Sequence, residues 1–166
     1  MPGSSAQPAA PASNLATGEA AAPRVEIRQM NATDLKNGLL ETLSALGDVG
    51  LSYEEAVAVF QRRLRDKVLT YVMLVDGRVV GTASLVLEQK FLHQGGFVGH
   101  LEDVAIRKDL QNRGIGAALI KTLLAESQRL GCYKVVLQCV PDRMPFYERA
   151  GFREWTKSMR IDFNSN

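Results

Sequence analysis

One stretch of the chain combines glycines and polar side chains in a pattern that can hold a phosphate. It runs from Asp103 to Leu119 and carries Gln111, Gly114 and Gly116 in the spacing Gln-x-x-Gly-x-Gly. The stretch predicts the end of a strand, then a polar loop, then a helix that begins near the glycines. Glycine has no Cβ atom, so a ligand can approach the main chain closely. The free N–H groups and the dipole of a helix N-terminus favour an anion such as a pyrophosphate.

This spacing differs from two well-known phosphate-binding motifs. The P-loop requires Gly-x-x-x-x-Gly-Lys-Ser/Thr, and the dinucleotide fingerprint requires Gly-x-Gly-x-x-Gly. For two glycines alone, a polar turn without a ligand is the commoner explanation. The order of the surrounding elements is what favours a binding loop here.

Three further residues have side chains suited to proton transfer. Glu102 and Asp103 are adjacent carboxylates on a predicted strand. Neighbours on a strand point to opposite faces, so both can line one pocket only where the strand is locally distorted. From the residues alone, a solvated strand end is an equally good explanation. Tyr147 by itself is more often a core aromatic. Cys132 and Cys139 are predicted to be buried small hydrophobic residues and not nucleophiles. A route through a cysteine nucleophile is not favoured, since no histidine is placed to activate either one.

The hydrophobic pattern predicts the elements that position these residues. Asp76-Gly77 between two β-branched runs predicts a hairpin. Thr33 and Asp34 are predicted to cap the first helix, and Ser52 with Glu55 predicts a capping box before a second helix that buries Ala56, Val59, Phe60 and Leu64. The run at 133–140 is too continuously apolar for a surface strand, so we expect a central strand there. Strands are predicted at 25–29, 68–75, 78–87, 100–106, 133–140 and 159–163, a loop at 90–99, and helices at 33–46, 53–66, 115–130 and 144–150. Antiparallel meanders followed by β-α-β crossover units predict one α/β domain with a mixed sheet.

Composition limits the classes of function. The 166 residues include 20 basic and 18 acidic side chains, a balance that argues against a nucleic-acid-coating protein. No His or Cys spacing indicates a zinc site, and no apolar run approaches the roughly 20 residues of a membrane span.

Residues 1–23 hold eight alanines and four of the six prolines, which predicts a disordered leader before a domain at 24–166. An unusual targeting sequence is the alternative, and the cytoplasm is the default compartment.

The glycine loop resembles the acetyl-CoA signature of the GNAT acetyltransferase superfamily. The order of elements over residues 25–163 resembles that superfamily as well, which implies a mixed, mostly antiparallel central sheet flanked by helices. Four other stretches, at 88–93, 99–106, 131–137 and 146–152, resemble the glucosamine 6-phosphate N-acetyltransferases within it. Gly-Cys-Tyr-Lys and Glu-Asp-Val are the discriminating segments.

The resemblance implies direct acetyl transfer from acetyl-CoA to the amine of glucosamine 6-phosphate, without a metal, in UDP-N-acetylglucosamine synthesis. Tyr147 is the expected general acid at the CoA thiolate. Glu102 and Asp103 are expected to hold the acceptor and take up its proton, although a water or a main-chain carbonyl could be the base instead. Expected CoA contacts, on a bulged strand and the glycine loop and beyond them, are Val104, Ala105, Ile106, Gln111, Asn112, Arg113, Gly114, Ile115, Gly116, Ala117, Gln138 and Arg143.

Expected contacts to the sugar and its phosphate, besides the two carboxylates, are Lys90, His93, Tyr133, Lys134 and Arg160. A second protomer completes the sugar site in the family, so the resemblance implies a homodimer. The chain departs from the family pattern at Gly47, Gln138, Arg143 and Asp162, which bears on phosphate affinity. Two alternatives stay open: a GNAT enzyme for another small amine, and a non-catalytic acyl-CoA-binding module, which would not need Glu102, Asp103 and Tyr147 together.

Overall fold

The computed structural model describes residues 23–111 and 113–163. Its sheet has the order β1-β2-β3-β4-β5, antiparallel from β1 to β4 and parallel between β4 and β5. This confirms the mixed, mostly antiparallel α/β sheet expected from the sequence. The strands are β1 (Val25–Gln29), β2 (Val68–Val75), β3 (Arg78–Gln89), β4 (Phe97–Ile106) and β5 (Cys132–Leu137).

Helices cover both faces of this sheet. On one face, α1 (Leu39–Leu43) and α2 (Tyr53–Arg65) pack against Val72 and Leu74 of β2. On the other face, α4 (Ile115–Arg129) packs against Leu85 of β3. The remaining elements are short: 3-10 turns at Ala32–Leu35, Lys108–Leu110 and Pro141–Arg143, the single turn α3 (Leu92–Gly95) and α5 (Met144–Glu148).

Two local signals in the sequence are confirmed. Asp76 and Gly77 have φ angles of 50° and 81°, the left-handed conformation that a tight hairpin turn requires. At the start of α2, the Ser52 hydroxyl accepts the Glu55 N–H at 3.2 Å, and the Glu55 carboxylate accepts the Ser52 N–H at 2.8 Å. This reciprocal pair satisfies two N–H groups that the helix leaves free.

The prediction of a single helix at 33–46 is wrong. The segment forms a 3-10 turn, Ala32–Leu35, and then α1, with a break at Gly38, whose φ is 100°. A Cβ atom on Gly38 would lie 2.9 Å from the Val79 carbonyl, so the close approach to β3 requires glycine. Asn31 is the N-cap of the first turn, and Asp34, one of the two predicted capping residues, completes the capping box by accepting the Asn31 N–H.

The prediction that α2 buries Leu64 is also wrong. Ala56 and Phe60 are buried at an i, i+4 spacing, and the next inward position in that series is Arg63. Leu64 lies to the side of this stripe and is exposed. A charged side chain therefore occupies a position of α2 that faces the sheet.

The last part of the chain differs most from the prediction. Within the described residues β5 is an edge strand, not a central one, and it ends at Leu137. The strand predicted at 159–163 is not formed: residues 152–163 are irregular and mostly exposed. Alternation alone does not make a strand, because the main chain needs a partner strand for its hydrogen bonds. Cys139, predicted to be buried, is exposed.

The start of β4 needs a smaller correction. This strand begins at Phe97 instead of 100, and the preceding loop holds α3, in which His93 and Gln94 adopt left-handed backbone angles. The leader predicted at 1–23 falls almost entirely outside the described residues. Among the residues described, no helix is long and apolar enough to cross a membrane.

Candidate active site

The register between β3 and β4 shifts in the middle of the strand that carries the two carboxylates. Ser84 pairs with Glu102, whereas Thr82 pairs with Ala105, so two residues of β4 stand opposite one residue of β3. Asp103, the first of the two, has a φ of 51°, a left-handed angle that Asp adopts more readily than most residues. The bulge expected from the family resemblance is therefore present.

The bulge turns both carboxylates toward the face of the sheet that carries α2. Glu102 shares that face with its partner Ser84, whose hydroxyl accepts a hydrogen bond of 2.6 Å from Arg63. The Asp103 carboxylate lies 3.5 Å from the same guanidinium. In a regular strand two adjacent residues would point to opposite faces. The local distortion that a shared pocket requires is thus in place.

Strands β4 and β5 separate beside this bulge. Their parallel pairing begins at Phe97 and Cys132 and ends at Leu101 and Leu137. Beyond that point, in the part of the chain that the structure describes, β4 pairs with β3 alone. The main chain from 102 to 106, including the predicted CoA contacts Val104, Ala105 and Ile106, therefore has a side open to a ligand.

The glycine loop lies at the end of this open half-strand. The Gln111 side chain donates a hydrogen bond of 3.1 Å to the Ile106 carbonyl and so ties the loop to β4. Gly114, the N-cap of α4, has a φ of 77° and offers no side-chain cap. Arg113 beside it is exposed. Asn112, also a predicted contact, lies outside the described residues.

The start of α4 has the features of an anion-binding site, as expected for a pyrophosphate contact. Its first N–H groups have no intrahelical partners, and Gly114 adds no side chain in front of them. The next predicted contacts, Ile115, Gly116 and Ala117, form the first turn of this 15-residue helix. A Cβ atom on Gly116 would lie 3.0 Å from the Phe146 ring, so this glycine lets α5 approach α4 closely.

Tyr147 projects from α5 into an aromatic cluster. Its ring centroid lies 4.9 Å from Phe146 and 5.9 Å from Phe152. Burial raises the pKa of its phenol, the electrostatic interaction with Cys139 raises it further, and the interaction with Arg143 opposes these effects. The phenol therefore keeps its proton throughout the neutral range, as a proton donor must.

A groove of about 760 Å³ runs along the outer side of β5. Tyr147 and Cys139 line it together with the predicted contacts Lys134 and Gln138, and Trp155 of the C-terminal segment forms part of its wall. The proposed proton donor thus faces an open space at the end of the sheet, next to the point where β4 and β5 separate.

The residues predicted to bind the sugar phosphate fall into separate groups. His93 stacks on Tyr133 with 4.2 Å between ring centroids, and the Lys134 ammonium lies 5.7 Å from the same Tyr133 ring. Lys90 instead forms an ion pair with Glu88. Arg160 pairs with Asp162 at 2.6 Å in the exposed C-terminal segment.

Two residues near the site were not predicted. His100 lies 2.9 Å from Glu88 through Nε2, and hydrogen bonds from Lys90 and then His100 hold the pKa of Glu88 below its ordinary value. His100 could have been found from its place two residues before Glu102 on the same strand. Arg63 could have been found as a charged residue in the inward stripe of α2.

Within residues 23–111 and 113–163, no group of three or more His, Cys, Asp or Glu could hold a metal ion.

Comparison with known proteins identifies the family. The model of the acetyltransferase (GNAT) family matches residues 37–152. The chain belongs to this family. The glucosamine 6-phosphate N-acetyltransferase of Trypanosoma brucei brucei is 38% identical to this GNAT chain over 141 residues, which cover 83% of this chain and 95% of the relative. That of Candida albicans is 36% identical over 131 residues, covering 76% and 88%.

A solved structure agrees with these relatives. The crystal structure of glucosamine-6-phosphate N-acetyltransferase from Arabidopsis thaliana superposes on this GNAT chain with a TM-score of 0.79 at 29% identity, covering 85% of this chain and 99% of the other. The GNAT fold expected from the sequence is therefore confirmed.

Proposed function

We propose that the chain transfers the acetyl group of acetyl-CoA to the amine of glucosamine 6-phosphate, giving N-acetylglucosamine 6-phosphate and CoA. Acetyltransferases of this family use acetyl-CoA, and several relatives carry the name of this activity. The observation that carries the proposal is the bulge in β4, which puts Glu102 and Asp103 on one face beside the open half-strand.

In the proposed reaction the amine nitrogen attacks the acetyl carbonyl carbon directly, within a ternary complex. The N–C bond forms, the C–S bond breaks, the nitrogen loses a proton and the sulfur gains one. The open main chain of Val104 to Ile106 supplies N–H groups that polarise the carbonyl. Asp103 and Glu102 hold the acceptor and take its proton, directly or through a water. Tyr147 donates its phenolic proton at the sulfur.

Acetyl-CoA supplies the activated acetyl group when it is bound. The first turn of α4 and the glycine loop hold its pyrophosphate, with Arg113 as a nearby cation. Gln138, directly after β5, and Arg143, in the 3-10 turn before α5, are proposed as further contacts to CoA. In this arrangement the residues position the thioester between Tyr147 and the bulge.

Cations at the other end of β4 are proposed to bind the sugar phosphate. Lys90 and Lys134 provide positive charge, and His93 and Tyr133 form a stacked pair between them in the chain. A phosphate binds best to charged donors. Lys90 is held by Glu88, so a phosphate must compete with that carboxylate or share the lysine with it.

The active form is proposed to be a homodimer whose partner completes the sugar site, with Arg160 as one contribution. Two features of the described residues support a second copy: the outer edge of β5, a mostly apolar strand, is unpaired, and the alternating segment at 159–163 has no strand partner. An apolar edge strand invites pairing with another chain. Met159, Ile161 and Phe163 are 97%, 76% and 81% exposed.

The proposed setting is the cytoplasm, in the synthesis of UDP-N-acetylglucosamine. The two cysteines are free thiols, which fits a reducing compartment. The leader at 1–23 is proposed to lie outside the catalytic domain at 24–166.

An acceptor panel tests the proposed function. Thiol release from acetyl-CoA is measured with glucosamine 6-phosphate, glucosamine and a peptide amine. We expect kcat/KM for the phosphorylated sugar to exceed that for glucosamine by about a hundredfold, because a charged phosphate site penalises the ligand that lacks the phosphate. Equal or better activity on unphosphorylated amines would indicate a GNAT enzyme for another amine.

Two variants and one binding measurement sharpen this panel. Lys90→Gln should reduce the preference for the phosphorylated sugar, whereas Lys36→Gln, which removes a lysine stacked on Tyr53, should not. A thermal shift with acetyl-CoA but no turnover on any amine would instead support a non-catalytic acyl-CoA-binding module.

A further inference from the structure

A cleft of about 100 Å³ lies between the sheet and the helices α1 and α2. Its lining is mostly apolar, with residues such as Leu39 and Phe60, but one end is polar. Arg63, Thr70, Ser84 and Asp103 form that end. The polar end therefore lies between the apolar core under α2 and the bulge in β4. That bulge carries the carboxylates that are proposed to hold the acceptor amine.

Arg63 makes several contacts at this end through one guanidinium. Its Nη2 donates to the Thr70 hydroxyl at 3.1 Å and to the Ser84 hydroxyl at 2.6 Å. Its Nη1 lies 3.5 Å from Oδ2 of Asp103. Thr70 and Ser84 belong to rigid strands and are buried, so they fix the plane of the guanidinium. Lysine, with one ammonium group, cannot reproduce this forked arrangement.

Asp103 is the side chain in this group that has most freedom to move. It sits on the bulge with a left-handed backbone angle, and its side chain is 49% exposed, against 31% for Arg63. The ion pair engages one oxygen of the carboxylate and leaves the other for an acceptor. A fixed positive charge on one side therefore selects the orientation in which the second oxygen meets the amine.

We propose that Arg63 is a positioning residue of the acceptor site. It orients the Asp103 carboxylate, and the Thr70 and Ser84 hydroxyls in turn orient Arg63. This inference rests on the proposed function, because it assigns Asp103 to the acceptor amine. Arg63 acts through Asp103 and not through the sugar phosphate.

Arg63→Met is the variant that tests this role. The Thr70 and Ser84 hydroxyls lie 3.2 Å apart and can bond to each other, so removal of the guanidinium leaves neither buried hydroxyl without a partner. Methionine also suits the apolar cleft, and we expect the variant to fold. A melting curve and the KM for acetyl-CoA, both expected near wild type, verify this. Arg62→Met, at an exposed neighbouring position of α2, is the matched control.

The decisive measurement is a double-mutant cycle with Asp103→Asn. Arg63→Met alone should lower kcat/KM for the acceptor about tenfold, and in the Asp103→Asn background it should add almost nothing, since coupled residues are not additive. Arg63→Lys should recover part of the loss. Wild-type kinetics for Arg63→Met, or full additivity with Asp103→Asn, would overturn the inference.

Acceptor choice separates this inference from the proposed function. The fractional loss in Arg63→Met should be the same with glucosamine and with glucosamine 6-phosphate. A loss confined to the phosphorylated sugar would make Arg63 a phosphate ligand and refute the positioning role. Should the wild type fail to acetylate glucosamine 6-phosphate, the proposed function fails, and the same cycle on the amine that it does acetylate still decides the role of Arg63.

Discussion

The two sides of β4, the strand that carries the candidate active site, are built in different ways. Toward α2, the chain itself provides a packed wall, in which Arg63, Thr70 and Ser84 contact one another and Asp103. Toward β5, the sheet ends at a groove of about 760 Å³, and the C-terminal segment beside it leaves its apolar side chains exposed.

The α2 side thus consists of contacts that one chain makes by itself, whereas the β5 side presents surfaces that are proposed to bind a ligand or a second copy. The Asp103 carboxylate, which is proposed to meet the acceptor amine, is held by an ion pair within one chain. The surfaces proposed to receive acetyl-CoA and a second copy are open. Substitutions on the α2 side should therefore act within the single chain, and substitutions on the β5 side should act on binding, turnover or assembly.

The largest effect is expected at Asp34, in the 3-10 turn that contacts α2. Asp34 is buried and accepts hydrogen bonds of 2.7 and 2.8 Å from Arg28 and one of 2.8 Å from the Asn31 N–H. Asp34→Ala should lower the free energy of unfolding by about 3 kcal/mol, because it leaves Arg28 without its buried partner. Urea unfolding measures this. Glu26→Ala removes the exposed partner of the same arginine and should cost less than about 1 kcal/mol.

The same pair predicts a dependence of stability on pH. Burial alone would raise the pKa of Asp34, but the hydrogen bonds from Arg28 and Asn31 outweigh it, and the pKa lies below its ordinary value of 3.8. Its contribution to stability is therefore complete above that value and is lost as the pH falls through the folded-state pKa. Asp34→Ala should lack this part of the acid transition. An identical transition in the variant would contradict the assignment.

The next effect is expected on the β5 side. Tyr147→Phe should lower kcat about a hundredfold, as expected for loss of a general acid, and leave the KM for acetyl-CoA within about twofold. Tyr53→Phe, on the opposite face of the sheet, is the control. Unchanged turnover would remove Tyr147 from the mechanism. Because its pKa is raised, chiefly by burial, no loss of activity from its deprotonation is expected until the pH exceeds its ordinary value of 10.0.

Local chemistry made much of the fold predictable from the sequence. Asp76-Gly77 and the Ser52–Glu55 capping box specify their structures through atoms a few residues apart, and both are as predicted. The break at Gly38 was missed because its cause is the carbonyl of Val79, which is distant in sequence. Leu64 was assigned to the core because the polar partners of Arg63, on β2 and β3, cannot be seen in the sequence of α2.

The candidate site was also predicted from the sequence only in part. The glycine loop and the carboxylate pair were found from residue types and spacing, and the bulge was expected from the family resemblance. The edge position of β5 and the irregular segment at 152–163 were missed, because strand formation depends on a partner that the local pattern does not name.

Assembly should depend on the exposed apolar residues of the C-terminal segment. The triple variant Met159→Ser, Ile161→Ser, Phe163→Ser should raise the dissociation constant of the dimer by about tenfold or more, since each side chain loses apolar burial at an interface. Sedimentation over a range of concentrations measures this. Leu46→Ser removes an exposed apolar residue elsewhere and should leave assembly unchanged. A monomeric wild type would contradict the homodimer.

The smallest effect is expected in the glycine loop. Gly114→Ala should weaken acetyl-CoA binding about fivefold, because a left-handed angle is unfavourable for alanine and the loop must shift to relieve it. Gly131→Ala is the matched control: this glycine has a φ of 80°, against 77° for Gly114, but lies at the other end of α4. Both variants should lose similar stability, and only Gly114→Ala should lose affinity. Equal losses of affinity would argue against the loop as the pyrophosphate site.

A crystal structure of the full chain with CoA and glucosamine 6-phosphate tests the central claim most directly. The account predicts the sugar nitrogen within about 3.5 Å of the Asp103 carboxylate and the CoA sulfur within similar reach of the Tyr147 hydroxyl. It also predicts that a second copy contributes to the sugar-phosphate site. A sugar amine bound away from the bulge in β4, with Asp103 facing only Arg63 and solvent, would contradict it.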